Sequence, residues 1–515
     1  MAQRLTSFSK LLIVLIIVSA AFFGVKYLQD NGMIGGDSPT LTKKDEAKKF
    51  DSRDDDVIKI GVVTWGGYAG GQYFNEGFKA SEASRFYKEY GLKVEFVVND
   101  DFDASLSAWK NGDIDLHWYT IDAFPTIVEG LSSFDPVVLW QADWSRGGDA
   151  IVVRRGIRNV SDLRGKKVAV AELTPSHSFL LYLLEAGGMT VDDIEIIPQT
   201  SAIDAAAAFK SQQVDAAVVW SPDDIQCVRD VPGAIILESS KGASHIIADF
   251  FFAKRAYVDQ NKDKLQKLFE GWMLGAAEIN GSAEAKNKAA EILAEGLGLP
   301  VGDAAGAIDN VRLATYGDNL NFFGLNTLYS GVTGEKLYLD MTNKYKALGF
   351  AGASVPGWRK VAYPSFVRNA QSALSGDEHK AEKSKAFTKL ADNEAKKKEA
   401  IATKRVSISF RTAEYRLDEN AKYIIDKEFI DIAKAFGNAR IRIEGNTDSR
   451  GSKSANIALS KKRAQSVANY LINEHNMDAN RIIVIGNGPD KSVASNKSED
   501  GRAKNRRTDF ELVRD

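Results

Sequence analysis

Val160-Ser161-Asp162-Leu163-Arg164-Gly165-Lys166-Lys167-Val168-Ala169-Val170-Ala171 changes its hydrophobic period in mid-course. Val160 to Leu163 opens a helical turn, and Lys167 to Ala171 reads as a strand. The rhythm continues outward on both sides. Downstream, residues 176–186 read as a helix, 194–197 as a strand, 202–210 as a helix and 216–220 as a strand. Upstream, 150–153 is a strand. Before Gly148 the same alternation occurs once already: the strand Ile58-Lys59-Ile60-Gly61-Val62-Val63, a loop carrying Gly66, Gly67, Gly70 and Gly71, a helix over 80–90, a strand over 94–98, a helix over 104–111 and a strand over 114–118. Such alternation predicts parallel or mixed sheets covered by helices on both faces. Here it predicts two α/β lobes, the second at about 148–249, with the chain returning to the first lobe and adding helices over 262–279, 283–296 and 334–348.

Composition bounds the rest. The chain has 515 residues, enough for three to four units at about 150 residues each. Its 67 basic and 69 acidic residues nearly cancel, to −2, so a general nucleic-acid-binding surface is not implied. The single cysteine, Cys227, allows no internal disulfide and no Cys-rich zinc site. The five histidines, at 117, 177, 245, 379 and 475, include no pair at metalloenzyme helix spacing. No metal or cofactor is expected.

At the N-terminus Arg4 and Lys10 precede the apolar run Leu11 to Val25. Counted from Ser9 to Leu28, with Lys10 and Lys26 snorkelling, it reaches membrane-spanning length. Residues 1–28 are read as an uncleaved signal anchor. The small residues Ser19-Ala20-Ala21 also suit a cleaved signal peptide, but the apolar stretch continues past them through Phe22-Phe23. Positive charge at the start predicts a cytoplasmic N-terminus and an exported remainder, single-pass in the inner membrane with the bulk in the periplasm. Residues 29–57 read as a polar tether, 58–366 as the two-lobed domain and 367–404 as a charged, partly helical spacer with no wide apolar face. The last unit, 405–515, starts with the alternating strand Val406-Ser407-Ile408-Ser409-Phe410 and reads as a compact α+β domain, with helices over 420–436 and 460–473 and strands over 439–444, 481–485 and 508–512.

In that unit Asp448 leaves a strand and Arg463 lies early in the next helix, fifteen residues on. A carboxylate and a guanidinium brought together can clamp a zwitterion, the acid holding an ammonium and the arginine a carboxylate. On spacing alone an ordinary surface ion pair, worth little, is the better reading. The motifs say more. Thr447, Asp448 and Gly451, then Asn456, Leu459, Ser460, Arg463 and Ala464, then Gly501, Arg502, Ala503, Asn505, Arg506 and Arg507 closely resemble T-D-x-x-G, N-x-x-L-S-x-x-R-A and G-R-A-x-N-R-R of the OmpA-like peptidoglycan-binding domain. The resemblance implies that Asp448 and Arg463 grip the free end of diaminopimelate in the cell-wall peptide, with Thr447, Asn456 and Arg507 lining the same pocket. One departure stands at Asn446, where many members carry His.

In the two-lobed domain, ligands are expected at loops beyond the C-terminal ends of strands. These are Thr64-Trp65-Gly66-Gly67-Tyr68, Trp118-Tyr119-Thr120-Ile121-Asp122, Thr174-Pro175-Ser176-His177-Ser178 and Trp220-Ser221-Pro222-Asp223-Asp224. The glycines fit neither G-x-G-x-x-G nor a Walker loop, so a tight loop is the simpler reading. Ser176 and Ser178 suit helix caps, or amides receiving an anion. Trp65, Trp118 and Trp220 each suit a core filler; together, at strand ends beside polar residues, they suit a box for the apolar or cationic part of a ligand. Asp223 and Asp224 suit a helix N-terminus or a ligand ammonium. His177 lies in no G-x-S-x-G elbow, and neither it nor Ser176 has a visible base–orienter set, so a hydrolase is the weaker alternative and no catalytic residue is assigned.

Val160 to Val170, with Ala206, Phe209 and Val214 to Pro222, resembles the periplasmic substrate-binding proteins of sulfonate, nitrate and taurine ABC importers over residues 58–365. The resemblance implies closure of two lobes around a small molecule but transfers no ligand, because the contact loops differ. Asp122, Asp223 and Asp224 weigh against a purely anionic one. The expected protein is a membrane-anchored, exported, non-catalytic solute receptor that holds peptidoglycan. Its partners are the solute, diaminopimelate-containing peptide, an ABC permease or other envelope proteins, and no nucleic acid. The alternative is an envelope scaffold or sensor whose receptor-like domain binds a protein.

Overall fold

Residues 56–408, 410 and 414–515 are described by the structure, a computed structural model, and all belong to one compact unit. The anchor and nearly all of the tether lie outside the described residues. Among the described residues no helix is long and apolar enough to cross a membrane.

Twelve strands build the two-lobed part: β1 (Val57–Val62), β2 (Lys93–Val98), β3 (Leu116–Thr120), β4 (Pro136–Gln141), β5 (Asp143–Ser145), β6 (Asp149–Val153), β7 (Lys167–Ala171), β8 (Glu195–Gln199), β9 (Ala216–Trp220), β10 (Ile235–Ser239), β11 (Asp249–Lys254) and β12 (Val311–Leu313). They form one sheet per lobe, ordered β2-β1-β3-β11-β4 and β10-β6-β9-β7-β8. The chain leaves the first lobe through β5 and returns to it between β10 and β11; β12 comes later and pairs antiparallel with β5. This two-lobed fold is the one that the alternation predicts. β3, β6 and β9 are buried along nearly their whole length, as strands covered on both faces must be.

Two local expectations are corrected. Gly70 and Gly71 belong not to a loop but to the helix Ala69–Phe74. This helix packs so closely on the long helix Lys262–Gly281 that a Cβ on Gly71 would lie 2.4 Å from the Trp272 ring. The strand expected at 406–410 instead ends at Val406: β13 covers Ala400–Val406, because its pairing partner offers Val513 to Ala400 and Thr508 to Val406.

β13, β14 (Arg440–Asn446), β15 (Ile482–Gly488) and β16 (Thr508–Val513) form a four-stranded sheet ordered β13-β16-β14-β15. The helix Lys453–His475 covers it, starting earlier than the sequence pattern predicts because Ser452 caps it through the Ala455 amide. Gly445 on β14 and Gly486 on β15 admit this helix at backbone contact.

The charged spacer is not a free, solvated helix. Only Asp392–Lys397 is helical within 380–399, and the preceding stretch is an extended strap held on the surface. Glu382 accepts a 2.6 Å bond from Arg146, and Lys385 pairs with Asp515 at 2.8 Å. Phe387 is buried under the guanidinium groups of Arg440 and Arg481, 5.3 and 5.9 Å from its ring centroid. Charge density hid this docking, which uses one aromatic anchor and cation–π contacts instead of an apolar face. The C-terminal domain also touches the second lobe: Asn438 Nδ2 donates to the Lys241 carbonyl at 3.1 Å, and Arg514 donates to the Ile236 carbonyl at 2.8 Å.

Candidate functional site

The strand register concentrates acid at the junction of the lobes. β11 runs antiparallel to β3 and begins with Asp249 opposite Thr120. β6 runs antiparallel to β9 and begins with Asp149 opposite Trp220. The first residues of two antiparallel strands thus sit beside the C-terminal ends of parallel ones, where ligands bind in such sheets. Asp143 opens the crossover strand β5, and Asp122 follows β3 directly.

These carboxyls are buried, Asp122 completely. Three have protein donors: Trp65 Nε1 donates to Asp143 Oδ2 at 2.6 Å, Tyr68 Oη to Asp249 Oδ2 at 2.6 Å and Ser145 Oγ to Asp149 Oδ2 at 2.7 Å. Asp122 differs. Ser178, its own amide and Thr120 lie close enough to favour its charge, yet neither oxygen has a hydrogen bond of ordinary geometry. Burial pushes the Asp122, Asp143 and Asp149 carboxyls up to about 7; Asp149 raises Asp122 and Asp143 further, and Asp224 raises Asp149. Asp249 is raised too, by burial and then by Asp143.

An aromatic ladder crosses the same seam. Tyr68 and Trp118 have centroids 6.1 Å apart, Trp118 and Phe102 5.2 Å, and Phe102 and Trp220 5.9 Å. The first three stand in the first lobe and Trp220 in the second. Trp65 abuts Gly148, whose missing side chain makes room for the indole.

The structure therefore brings together Trp65, Tyr68, Thr120, Asp122, Ser178 and Trp220 near one seam and separates others. Asp223 faces Lys210 on the neighbouring helix, 3.7 Å away, while Asp224 is the buried member whose charge reaches Asp149. His177 packs edge-on against Tyr345 and Phe350 and accepts from the Leu173 amide at 3.3 Å. Burial lowers its pKa to about 4, so it is neutral. Ser176 is fully buried with its hydroxyl unpartnered, and Ser178 bonds Tyr345 at 2.9 Å. Gly66 and Gly67 are spacing residues: a Cβ would meet the Ala307 carbonyl at 2.3 Å from one and Asp143 Oδ2 at 1.4 Å from the other. Phe102, Asp143, Asp149 and Asp249 escaped the sequence pattern. Their one visible signal is an aspartate directly before an apolar strand, as in Asp149-Ala-Ile-Val-Val and Asp249-Phe-Phe-Phe.

In the C-terminal domain Asp448 is buried and receives three donors from two arginines: the Arg450 amide at 3.0 Å, the Arg450 guanidinium at 3.0 Å and Arg506 Nη1 at 2.8 Å. Burial would raise its carboxyl, but these donors outweigh it and hold it below the ordinary carboxylate value. Arg463 donates to the Glu414 carbonyl at 3.0 Å and lies over the Phe410 ring at 4.8 Å. Burial and Arg506 lower its pKa while Asp448 raises it, so acid and guanidinium stand within each other's field. Asn456 donates to the Arg450 carbonyl at 2.8 Å, and the buried Thr447 hydroxyl has no partner. Arg507 is the exception. It turns to the other face of the sheet, bonding Asp509 at 2.8 Å and the Lys491 carbonyl at 3.0 Å. Its neighbour Arg506 takes the place beside Asp448 that the sequence reading gave to Arg507.

Family comparison agrees with this division. Residues 77–280 match the NMT1/THI5-like family and residues 409–506 the OmpA family. The first match lies within the two-lobed part and the second within the C-terminal domain. Outer membrane protein Omp38 of Acinetobacter baumannii is 43% identical over 96 residues, 18% of this chain and 27% of Omp38. The chain thus spans about a quarter of that relative's length. Among solved structures, the periplasmic aliphatic sulphonate binding protein SsuA from Escherichia coli is similar at 20% identity and TM-score 0.48, covering 61% of this chain and 99% of SsuA. The periplasmic nitrate-binding protein NrtA from Synechocystis PCC 6803 is similar at 17% identity and TM-score 0.48, covering 63% and 91%. The two-lobed part and the C-terminal domain meet along the strap and the second lobe described above.

Proposed function

We propose that this chain is an exported, membrane-anchored solute receptor that binds a small molecule between its lobes and holds peptidoglycan non-covalently through its OmpA domain. The observation that carries it is Asp122: a fully buried carboxylate, without a hydrogen-bond partner, at the seam of two lobes joined by crossover strands. Buried charge is costly unless paired, and a ligand is the natural partner. In the OmpA domain, Arg450 is 62% exposed and Arg506 34%, so Arg450 is the arm that swings away when the diaminopimelate ammonium reaches Asp448, while Arg463 takes the carboxylate. Thr447 and Asn456 border that hollow. The N-terminal apolar run supplies the membrane attachment, the bulk lies in the periplasm, and an ABC permease is the expected receiver of the solute. Anchoring at both ends raises the effective concentration of the receptor at the envelope. A thermal-shift screen of the full-length protein against sulfonates, nitrate, phosphate, pyrimidines and amines tests the receptor; a clear shift with one class supports it.

The contacts of the OmpA domain with the second lobe favour a second reading. A lobe that moves on ligand binding and also touches the wall-binding domain through Asn438 and Arg514 suits an envelope scaffold or sensor. Silence across the whole screen, with peptidoglycan binding intact, favours that reading.

A further inference from the structure

The lobe seam carries charge of one sign beside an aromatic wall. Asp122, Asp143, Asp149 and Asp249 feel one another's fields. Arg146 acts on Asp143, and it is drawn to Glu382 on the strap at 2.6 Å. The Thr120 hydroxyl beside Asp122, 2% exposed, is also without a partner, as is the buried indole nitrogen of Trp220. We infer that the seam binds a small organic cation, an alkylammonium compound, with Asp122 as its charge partner and the ladder Tyr68, Trp118, Phe102 and Trp220 as its apolar wall. This rests on the solute-receptor reading and names the substrate class.

Three alternatives fit less well. An anion would enter among buried carboxylates that repel it. A metal ion lacks a cage, since among the described residues no three His, Cys, Asp or Glu side chains converge on one. A neutral ligand would leave the Asp122 carboxylate unpaired. An ammonium compound satisfies both features at once, pairing with the acid and lying on aromatic faces, which attract cations through their ring quadrupoles. It also explains closure: Phe102 and Trp220 belong to opposite lobes, so a cation lying on both ties them together. Burial leaves the empty acid with a pKa near 7, so the ligand's charge replaces a proton there.

Isothermal titration calorimetry of the full-length protein in detergent tests this with choline, tetramethylammonium and putrescine, against methanesulfonate, nitrate and neohexanol, the uncharged carbon isostere of choline. Saturable heat is expected with at least one ammonium probe, and for choline about tenfold weaker binding or less with neohexanol, the scale of one lost charge contact. Asp122→Asn and, separately, Phe102→Leu, which lies at the half-buried rim, should each weaken the response about tenfold while leaving peptidoglycan binding unchanged. Preference for methanesulfonate, nitrate or neohexanol overturns the cationic class and leaves the receptor reading standing. An ammonium response that Asp122→Asn does not weaken also overturns it. Silence with every probe overturns the cationic class together with the receptor reading.

Discussion

Arg506 Nη1 lies 2.8 Å from Asp448 Oδ2, so the acid proposed to receive a ligand ammonium already carries a resident guanidinium. Under the proposed function an arriving ammonium displaces the more exposed Arg450 arm, while Arg506 stays beside the acid. Asp448→Ala and Arg463→Ala each remove one half of the clamp, and each should abolish co-sedimentation with purified peptidoglycan. Arg507→Ala should behave differently. Its partner Asp509 is left buried in the sheet, so the melting temperature falls while the folded fraction still pellets.

The pH dependence of pelleting has a definite sign. Asp448 is depressed in the folded protein, so its charge and the contacts that depend on it are fully present above the ordinary carboxylate value of 3.8 and are lost as pH falls through the lower folded value. Pelleting should be flat from neutral pH down to about 4 and collapse only below it. A midpoint near neutrality would assign the effect to another group.

Asp122 gives the opposite sign in stability. Its folded pKa is raised to about 7 from 3.8, so its charge destabilises the empty fold above about 7 and the penalty disappears as pH falls towards 4. Asp122→Asn should therefore be more stable than the parent at pH 8, by about 1–3 kcal/mol. The advantage should fade by pH 4, as denaturant midpoints at both values will show.

The strap offers a structural test. Phe387→Ala removes a buried ring in cation–π contact with two guanidinium groups and should cost about 3 kcal/mol. Trypsin should then cut within 380–391 well before it cuts the lobes, because Lys383, Lys385 and Lys389 lie there.

The two α/β lobes and the wall-binding motif were legible because both write themselves locally: strand–helix alternation, and contiguous residues on one loop and one helix. The acidic seam was not. Asp149 and Asp249 come to the seam through antiparallel pairing of β6 with β9 and β11 with β3, and Asp143 through the crossover strand β5. Period alone does not reveal which strand returns antiparallel. Asp223 and Asp224 were indistinguishable in sequence, since adjacent helical residues point about 100° apart and only packing shows which one faces inward. The same applies to Arg506 and Arg507 just before β16 begins, where one residue of register decides the face of the sheet.

The most direct measurement pellets full-length protein on purified peptidoglycan in the presence of radiolabelled choline, tetramethylammonium and putrescine together, and counts protein and label in the same pellet. The parent protein should carry both down. Asp122→Asn should carry protein without label, and Asp448→Ala should carry neither. Parent protein that pellets without label, or label that follows Asp122→Asn undiminished, would contradict a cation receptor fixed to the cell wall.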